Sequence, residues 1–412
     1  MEIKIGYLIP EFPGQTHNFF WKERQALAEL GVSADLISTR LPHRGISSHA
    51  WSDQAILQTS YLVPFSIADF STSAIALLQA GPRGWLRCLT TIAAAKELSL
   101  AQKFKLLAMA PVAAKLSAIA ARKKFTHIHV HSCAESANIA LLAAQLFGLT
   151  YSLTLHGPTL ELYGSNQAEK WRHALFAVVI SQKLLDSTKL TLAGSLPDQL
   201  EVAPMGVNLE IFQRQTTYQP WSPAQTCRIF SCGRLNLIKG HKYLLQAMIL
   251  LQQRGIKVKL QIAGEDEQGG NGYHQELAEL IREQGLSESV ELMGAVSEDQ
   301  IRQGLEEAHI FALASLNEGV PVAVMEAMAM ELPVVVTQVG GNAELIDQGV
   351  DGLMVAPKDP ESLANTIEKV LKESNLAIAL SQAARRKIIA KFSHKRSAEV
   401  IALNLRQVLA NE

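Results

Sequence analysis

The chain opens on a run of apolar residues, Ile3–Ile9, interrupted only by Lys4 and Gly6. A short apolar run of this kind predicts a strand buried on both faces. A loop rich in Pro and Gly follows through Thr16, and then a helical stretch around Phe19–Leu30 that Gly31 stops. Val32–Ser38 predicts a second strand, and His127–Val130, Tyr151–Leu155 and Ala177–Ile180 continue the series. Strands alternating with helices predict an α/β fold with a parallel, doubly wound sheet. Between Ala203 and Trp221 the periodicity breaks down, and Pro204, Gly206, Pro220 and Pro223 predict a hinge over 205–225. A second α/β series begins near Thr226. Its strands are predicted at Arg228–Ser231, Lys257–Ala263, Val290–Met293, Ile310–Ala314 and Val334–Thr337. Phe392–Leu409 predicts a terminal helix. Two such halves joined by a hinge are expected to leave a ligand cleft between them.

Composition narrows the function classes. With 412 residues and 48% apolar content, the chain can fill two cores. A net charge of −1 gives no global attraction to nucleic acid. Four cysteines at irregular spacing predict neither a zinc site nor a disulfide framework, so a reducing cytoplasm is the simplest home. The first strand begins at once, without a signal-peptide layout, and no uncharged apolar run approaches the roughly 20 residues of a membrane span. Charge is uneven, however: the part through Pro204 carries net +4 and the remainder net −5. Most of the positive excess lies between Phe70 and Val130. There Leu100, Phe104 and Leu107 share a helical face beside Lys96 and Lys103, a pattern suited to a membrane surface.

Chemistry concentrates in the second half. Glu318 and Glu326 stand eight apart in Ser315-Leu316-Asn317-Glu318-Gly319-Val320-Pro321, continuing into a helix-forming run. Pro321 suits a first helical turn, which would put Glu318 at the helix mouth and Glu326 about two turns in. A helix N-terminus attracts phosphate, and nearby carboxylates accept hydrogen bonds from sugar hydroxyls. Arg234 and Lys239 follow the strand Phe230–Cys232, at the carboxyl end where open α/β sheets bind ligands. Two cations five residues apart can clamp a diphosphate. Taken singly, each pattern also fits a solvated surface. His127, His129 and His131 alternate along one strand and share a face, but their spacing suits buried or cleft-lining rings better than three ligands to one metal.

Taken together, Gly233-Arg234-Leu235 with Lys239-Gly240, Ala263-Gly264-Glu265, the Glu318/Glu326 pair, and Leu332-Pro333-Val334-Val335-Val336-Thr337 with Gly340-Gly341 resemble glycosyltransferase family four. That family consists of retaining GT-B enzymes with two Rossmann-like domains. Pro10-Glu11-Phe12-Pro13-Gly14-Gln15-Thr16-His17 and Leu155-His156-Gly157 resemble its colanic acid and exopolysaccharide branch. The resemblance implies an acceptor-binding domain over 1–204 with a basic helical insertion at about 70–125. It also implies a nucleotide-sugar domain over 226–391 and a helix over 392–412 crossing back to the first domain.

By the same resemblance, Glu318 orients the donor sugar and Glu326 holds the ribose. Gly319 and Val320 open the helix facing the diphosphate, and Arg234 and Lys239 neutralise it. Gly14 lets backbone approach a phosphate, Thr16 and His17 line the acceptor side, and His156 is catalytic. No metal or other cofactor is implied. The expected partners are a UDP- or GDP-sugar and a saccharide or polyprenyl-linked saccharide, with inner-leaflet contact through 70–130 and no nucleic acid. Two departures stand out. Met205-Gly206-Val207-Asn208 replaces a common Asn-Gly-Val-Asp, and Glu331 stands where relatives carry Gly. A non-catalytic nucleotide-sugar-binding subunit, or a sugar epimerase or phosphorylase on the same scaffold, remains open at this level.

Overall fold

The structure, a computed structural model, describes residues 3–14, 17–42, 51–157, 159–266 and 268–409. It divides into two compact units: one takes the described residues through Pro204 and those from Ser397 onward, the other Met205–Arg396.

The first unit is built on strands β1 (Ile3–Glu11), β2 (Val32–Arg40), β3 (Ser60–Val63), β4 (His127–Val130), β5 (Thr150–Leu155), β6 (Phe176–Val179) and β7 (Gln199–Val202). Every pairing is parallel, in the order β3-β2-β1-β4-β5-β6-β7. The apolar run at the start becomes β1 because both of its faces are covered: Ile5, Tyr7 and Ile9 pack with Phe20, Trp21 and Leu27, and on the other face Leu8 is fully buried and Gly6 faces Phe125. The terminal helix, Lys395–Leu409, adds Val400, Ile401 and Leu405 to the same core. Each such buried aliphatic side chain contributes about 2 kcal/mol, enough to hold a C-terminal helix on the first sheet.

The basic stretch forms four helices, Ile67–Gln79, Gly81–Ala94, Leu100–Leu107 and Ala110–Lys123. By length and composition, Leu100–Lys123 is apolar enough to cross a membrane, yet 44% of its most apolar window is buried in the fold. Several of its charges are paired internally. Lys115 bonds Asp69 at 2.9 Å, Lys105 bonds Glu135 at 2.9 Å and Lys123 bonds Asp35 at 3.0 Å. Ile67, Phe70, Leu78, Leu86, Leu100 and Phe104 remain more than half exposed.

The second unit repeats the plan with β8 (Cys227–Cys232), β9 (Val258–Ala263), β10 (Val290–Gly294), β11 (Ile310–Leu313), β12 (Val334–Thr337) and β13 (Leu353–Val355). These strands are all parallel, ordered β10-β9-β8-β11-β12-β13. In both sheets the winding reverses between the first strand and the fourth, so a switch point opens between β1 and β4 and another between β8 and β11. The residues expected as a hinge are anchored to the second unit. Phe212, Tyr218 and Trp221 are buried in its core, and Tyr218 donates its hydroxyl to the His309 carbonyl at 2.8 Å. Val207 pairs with Ser393, and its N–H reaches the Phe392 carbonyl at 2.9 Å. Asn208 supplies the turn chemistry an Asp would, its side-chain oxygen accepting the Glu210 N–H at 2.9 Å.

Candidate active site

At the switch point of the second sheet, the loops after β8 and β11 interlock. The first loop makes a short 3-10 turn, Leu237–Lys239, begun by Asn236, whose side chain accepts the Lys239 N–H at 3.2 Å. The second loop is stitched to it where the Leu316 N–H meets the Ile238 carbonyl at 2.7 Å. This close approach needs Gly240. Its φ is +64°, and a Cβ there would lie 2.1 Å from the Ala314 carbonyl oxygen. On the far side, Gly340 (φ +52°) passes so near Glu318 that a Cβ would sit 1.7 Å from its carbonyl oxygen. Sequence positions far apart thereby fix one carboxylate.

The outcome is an ion pair between Lys239 Nζ and Glu318 Oε1 at 2.7 Å. Ser315 donates its hydroxyl to the same oxygen at 2.6 Å. Glu318 is buried and Lys239 nearly so, with 8% and 18% of their side chains exposed. Charge-assisted contacts of this length hold both groups in one geometry. Ser315 was not among the expected site residues, although its place three before Glu318 puts it at the end of β11, within reach.

The helix expected to open near Val320 runs from Val322 to Ala329, and Pro321 is its extended N-cap rather than a first-turn residue. Gly319 and Val320 lie in the turn before it, where the Gly319 carbonyl accepts the Gly341 N–H at 2.7 Å. Glu326 lies on that helix, partly exposed, with no side-chain hydrogen bond among the described residues. Burial pushes its carboxyl up to about 8, and the Glu298 charge adds to the shift. Arg234 follows β8, half-buried on the same loop as Lys239. Glu331 takes a left-handed φ of 53°, the backbone a glycine would adopt without strain. A hollow of about 450 Å³, lined by Thr226, Lys257, Lys259 and Glu288 among others, sits at the opposite end of β8 and β9, away from these residues.

In the first unit, His156 follows β5 and Gly14 and His17 follow β1; Thr16 lies outside the described residues. The His17 N–H bonds the Gly14 carbonyl at 3.0 Å. A Cβ on Gly14 would meet His17 Nδ1 at 2.7 Å, so the close approach of the imidazole needs a glycine there. His156 Nε2 lies 2.9 Å from His131 Nδ1. Burial, then the His17 charge, pushes the His156 imidazole down to about 3. His127 and His129 are fully buried and bridge hydroxyls of β5. His127 contacts Thr150 at 2.9 Å and Ser152 at 2.8 Å; His129 contacts Ser152 at 2.7 Å and Thr154 at 2.8 Å. These rings are satisfied by hydroxyls. Among the described residues, no group of three or more His, Cys, Asp or Glu is placed to hold a metal ion.

Residues 221–387 match the family model of glycosyl transferases group 1. The match covers all four expected donor-side ionic residues: Arg234, Lys239, Glu318 and Glu326. The chain is 31% identical over 214 residues to an amylovoran biosynthesis glycosyltransferase, AmsK, of Erwinia amylovora, an alignment covering 50% of each chain. It is 30% identical over 182 residues to a putative colanic acid biosynthesis glycosyltransferase, WcaL, of Salmonella typhimurium, covering 43% of each. The chain thus spans about half the length, or less, of the curated relatives it matches. Among solved structures, sucrose-phosphate synthase from Thermosynechococcus elongatus superposes with a TM-score of 0.73 at 19% identity over 100% of both chains. Anabaena HepE in complex with UDP-glucose gives 0.72 at 17% identity, again over 100% of both. These structures establish the fold: two parallel-sheet, Rossmann-like domains of the GT-B type.

Proposed function

We propose that this chain is a retaining glycosyltransferase of exopolysaccharide biosynthesis. It moves a hexose from a UDP- or GDP-sugar to a hydroxyl of a saccharide or lipid-linked saccharide. One observation carries the reading: the Lys239–Glu318 pair at the β8/β11 switch point, inside the matched domain. A nucleotide sugar offers an anionic bridge and a hydroxylated ring side by side, and a cation and a carboxylate 2.7 Å apart offer their complements side by side. In this reading Lys239 and Arg234 neutralise the leaving diphosphate, and Glu318 accepts from sugar hydroxyls. Glu326 accepts from the ribose. Gly319 and Val320, before the helix Val322–Ala329, bring backbone N–H groups toward the phosphates. With the two cations neutralising the diphosphate, the donor needs no metal or other cofactor, and EDTA is expected to leave transfer intact. The acceptor attacks on the face the diphosphate leaves, and a diphosphate oxygen takes its proton. His156, His17 and Thr16 serve the acceptor side.

The exposed apolar residues of the helices from Ile67 to Leu107, interspersed with exposed Arg83 and Lys96, suit contact with an anionic bilayer at the cytoplasmic leaflet. A lipid-linked acceptor would be presented there. The function is tested by incubation with labelled UDP- and GDP-sugars and saccharide acceptors, followed by product analysis. Transfer that falls strongly in Glu318→Gln and Lys239→Ala is expected; equal turnover in either variant removes that residue from the site. Donor binding without turnover across many acceptors would favour the non-catalytic subunit instead.

A further inference from the structure

A buried line of polar side chains runs behind His156. β1 contributes Tyr7, the helix Asn18–Glu29 contributes Glu23, and His131 follows β4; all three side chains are essentially sealed from solvent. The Tyr7 hydroxyl donates to Glu23 Oε1 at 2.6 Å. His131 Nε2 approaches that same oxygen at 3.3 Å, and His131 Nδ1 meets His156 Nε2 at 2.9 Å. Aromatic rings enclose the path. The Tyr7 ring lies 4.1 Å from His131, and Phe20 stands edge-on to His131 at 4.9 Å and to His156 at 5.3 Å.

The direction of the chain follows from donor and acceptor arithmetic. Tyr7 donates to Oε1, so that oxygen is an acceptor; His131 Nε2 makes no hydrogen bond to it, but at 3.3 Å from that oxygen an N–H is favoured there over a lone pair facing a lone pair. A neutral imidazole carries one N–H, which leaves His131 Nδ1 as a lone pair. It therefore accepts from a His156 Nε2–H. His156 Nδ1 is then also a lone pair, and it is a buried atom with no partner among the described residues. An acceptor shielded from water and lacking a donor stands ready for one that arrives with a ligand.

We propose that Glu23 and His131 are positioning residues that lock His156 in the Nε2–H tautomer and present its Nδ1 lone pair to a substrate hydroxyl. The substrate part rests on the transferase reading given above. The tautomer is a property of the resting protein. Groups facing the chain from its surroundings are His129 beside His131, His17 beside His156, Ser397 of the terminal helix beside Glu23, and Arg24 beside Tyr7. Burial drives both imidazoles toward the neutral form, His131 well below its ordinary range and His156 to about 3, which agrees with one proton per ring.

The experiment uses the full chain labelled with 15N-histidine, with two-bond proton–nitrogen correlations recorded at pH 7. Of the twelve histidines, His156 is assigned by the signal lost in His156→Gln. The expected result is an imine-type Nδ1 and a pyrrole-type Nε2. His131→Leu removes the acceptor and should mix the two tautomers. It should also lower kcat for transfer about tenfold with the donor KM unchanged. His131→Asn, whose side-chain oxygen stands where Nδ1 stood, should restore both readouts. A pyrrole-type Nδ1 in the unaltered protein, or an unchanged tautomer in His131→Leu, would overturn the proposal. The expected spectra without transfer under any donor would sustain the locked tautomer and sink the transferase reading alone.

Discussion

Removing Lys239 should destabilise the second unit more than removing the charge of its partner. The two groups meet at 2.7 Å, with 18% of the Lys239 side chain and 8% of the Glu318 side chain exposed. Pairs buried this deeply lie nearer the class in which losing one partner costs about 3–5 kcal/mol than the exposed class worth about 0–1. Lys239→Ala leaves a buried carboxylate with Ser315 as its remaining donor. Some water can reach the gap, so about 2–3 kcal/mol is the expected loss. Glu318→Gln keeps the contact with Ser315 and leaves an ammonium that can turn toward solvent, so about 1 kcal/mol is expected. In the double variant the carboxylate is gone before the lysine is, and the losses should fall short of their sum by about 1–2 kcal/mol.

The assay is urea unfolding followed by fluorine NMR of fluorotryptophan-labelled protein. Trp221 is the only tryptophan of the second unit and is buried, so its resonance reports that unit separately from Trp21, Trp51, Trp85 and Trp171. With an m-value of about 2–3 kcal/mol per molar for a unit of this size, Lys239→Ala should lower the midpoint by about 1 M. A shift under about 0.2 M, or strictly additive losses in the double variant, would refute the buried pair.

Three further outcomes follow from the same physics. Gly240→Ala should cost about 2–5 kcal/mol, combining left-handed strain with overlap on the Ala314 carbonyl, and should weaken donor binding at least tenfold in calorimetry; a near-neutral effect would break the loop argument. His127 and His156 are held down to about 3 and His241 and His309 to about 4, so the unfolded chain takes up protons first as pH falls below about 6.5. Stability is therefore fully present above that pH and is lost below it. Thermal melts should steepen in acid, and His127→Gln should flatten the slope by about one proton. Glu326 works in the opposite sense: between about 4.5 and 8 the folded state keeps a proton that the unfolded state releases, so stability falls as pH rises. Glu326→Gln should remove that slope and melt higher than the parent at pH 8, and an unchanged slope would count against a carboxyl raised in the folded state.

The sequence is legible where one element determines the answer. β6, β11 and β12 are buried throughout and β1 from Ile5 to Ile9, so each reads as an apolar run, whereas β4 is buried although His127 and His129 interrupt its apolar residues. β3 and β7 are sheet edges, short and half-exposed, and their Ser60-Tyr61 and Gln199-Leu200-Glu201 carry no comparable signal. β13, with three residues, is too short to show a period. Lys239 and Glu318, which the structure pairs, stand out in the sequence because a motif travels with them. Ser315 and the path from Glu23 to His131 were not, because such contacts join elements distant in sequence and exist only once the sheets are wound. Glu331 shows the limit from the other side. Its identity departs from the glycine the family resemblance implies, while its backbone keeps a glycine's left-handed turn.

The two sheets share one strand order up to the extra β7, so their switch points are equivalent places with different contents. Between β8 and β11 stand an ammonium and a carboxylate, with a guanidinium half-buried on the same loop. Between β1 and β4 stand imidazoles and a carboxyl group that burial drives toward their neutral forms, with a tyrosine, joined by hydrogen bonds and one close approach. A full charge is tolerated at low exposure only where its counter-charge is in place. The second unit is therefore suited to a ligand that brings fixed charge. Neutral rings with lone pairs engage hydroxyls without adding net charge, so the first unit is suited to a group that brings a proton. Equivalent backbones thus carry different chemistry: one switch point answers fixed charge, and the other answers the proton of a hydroxyl.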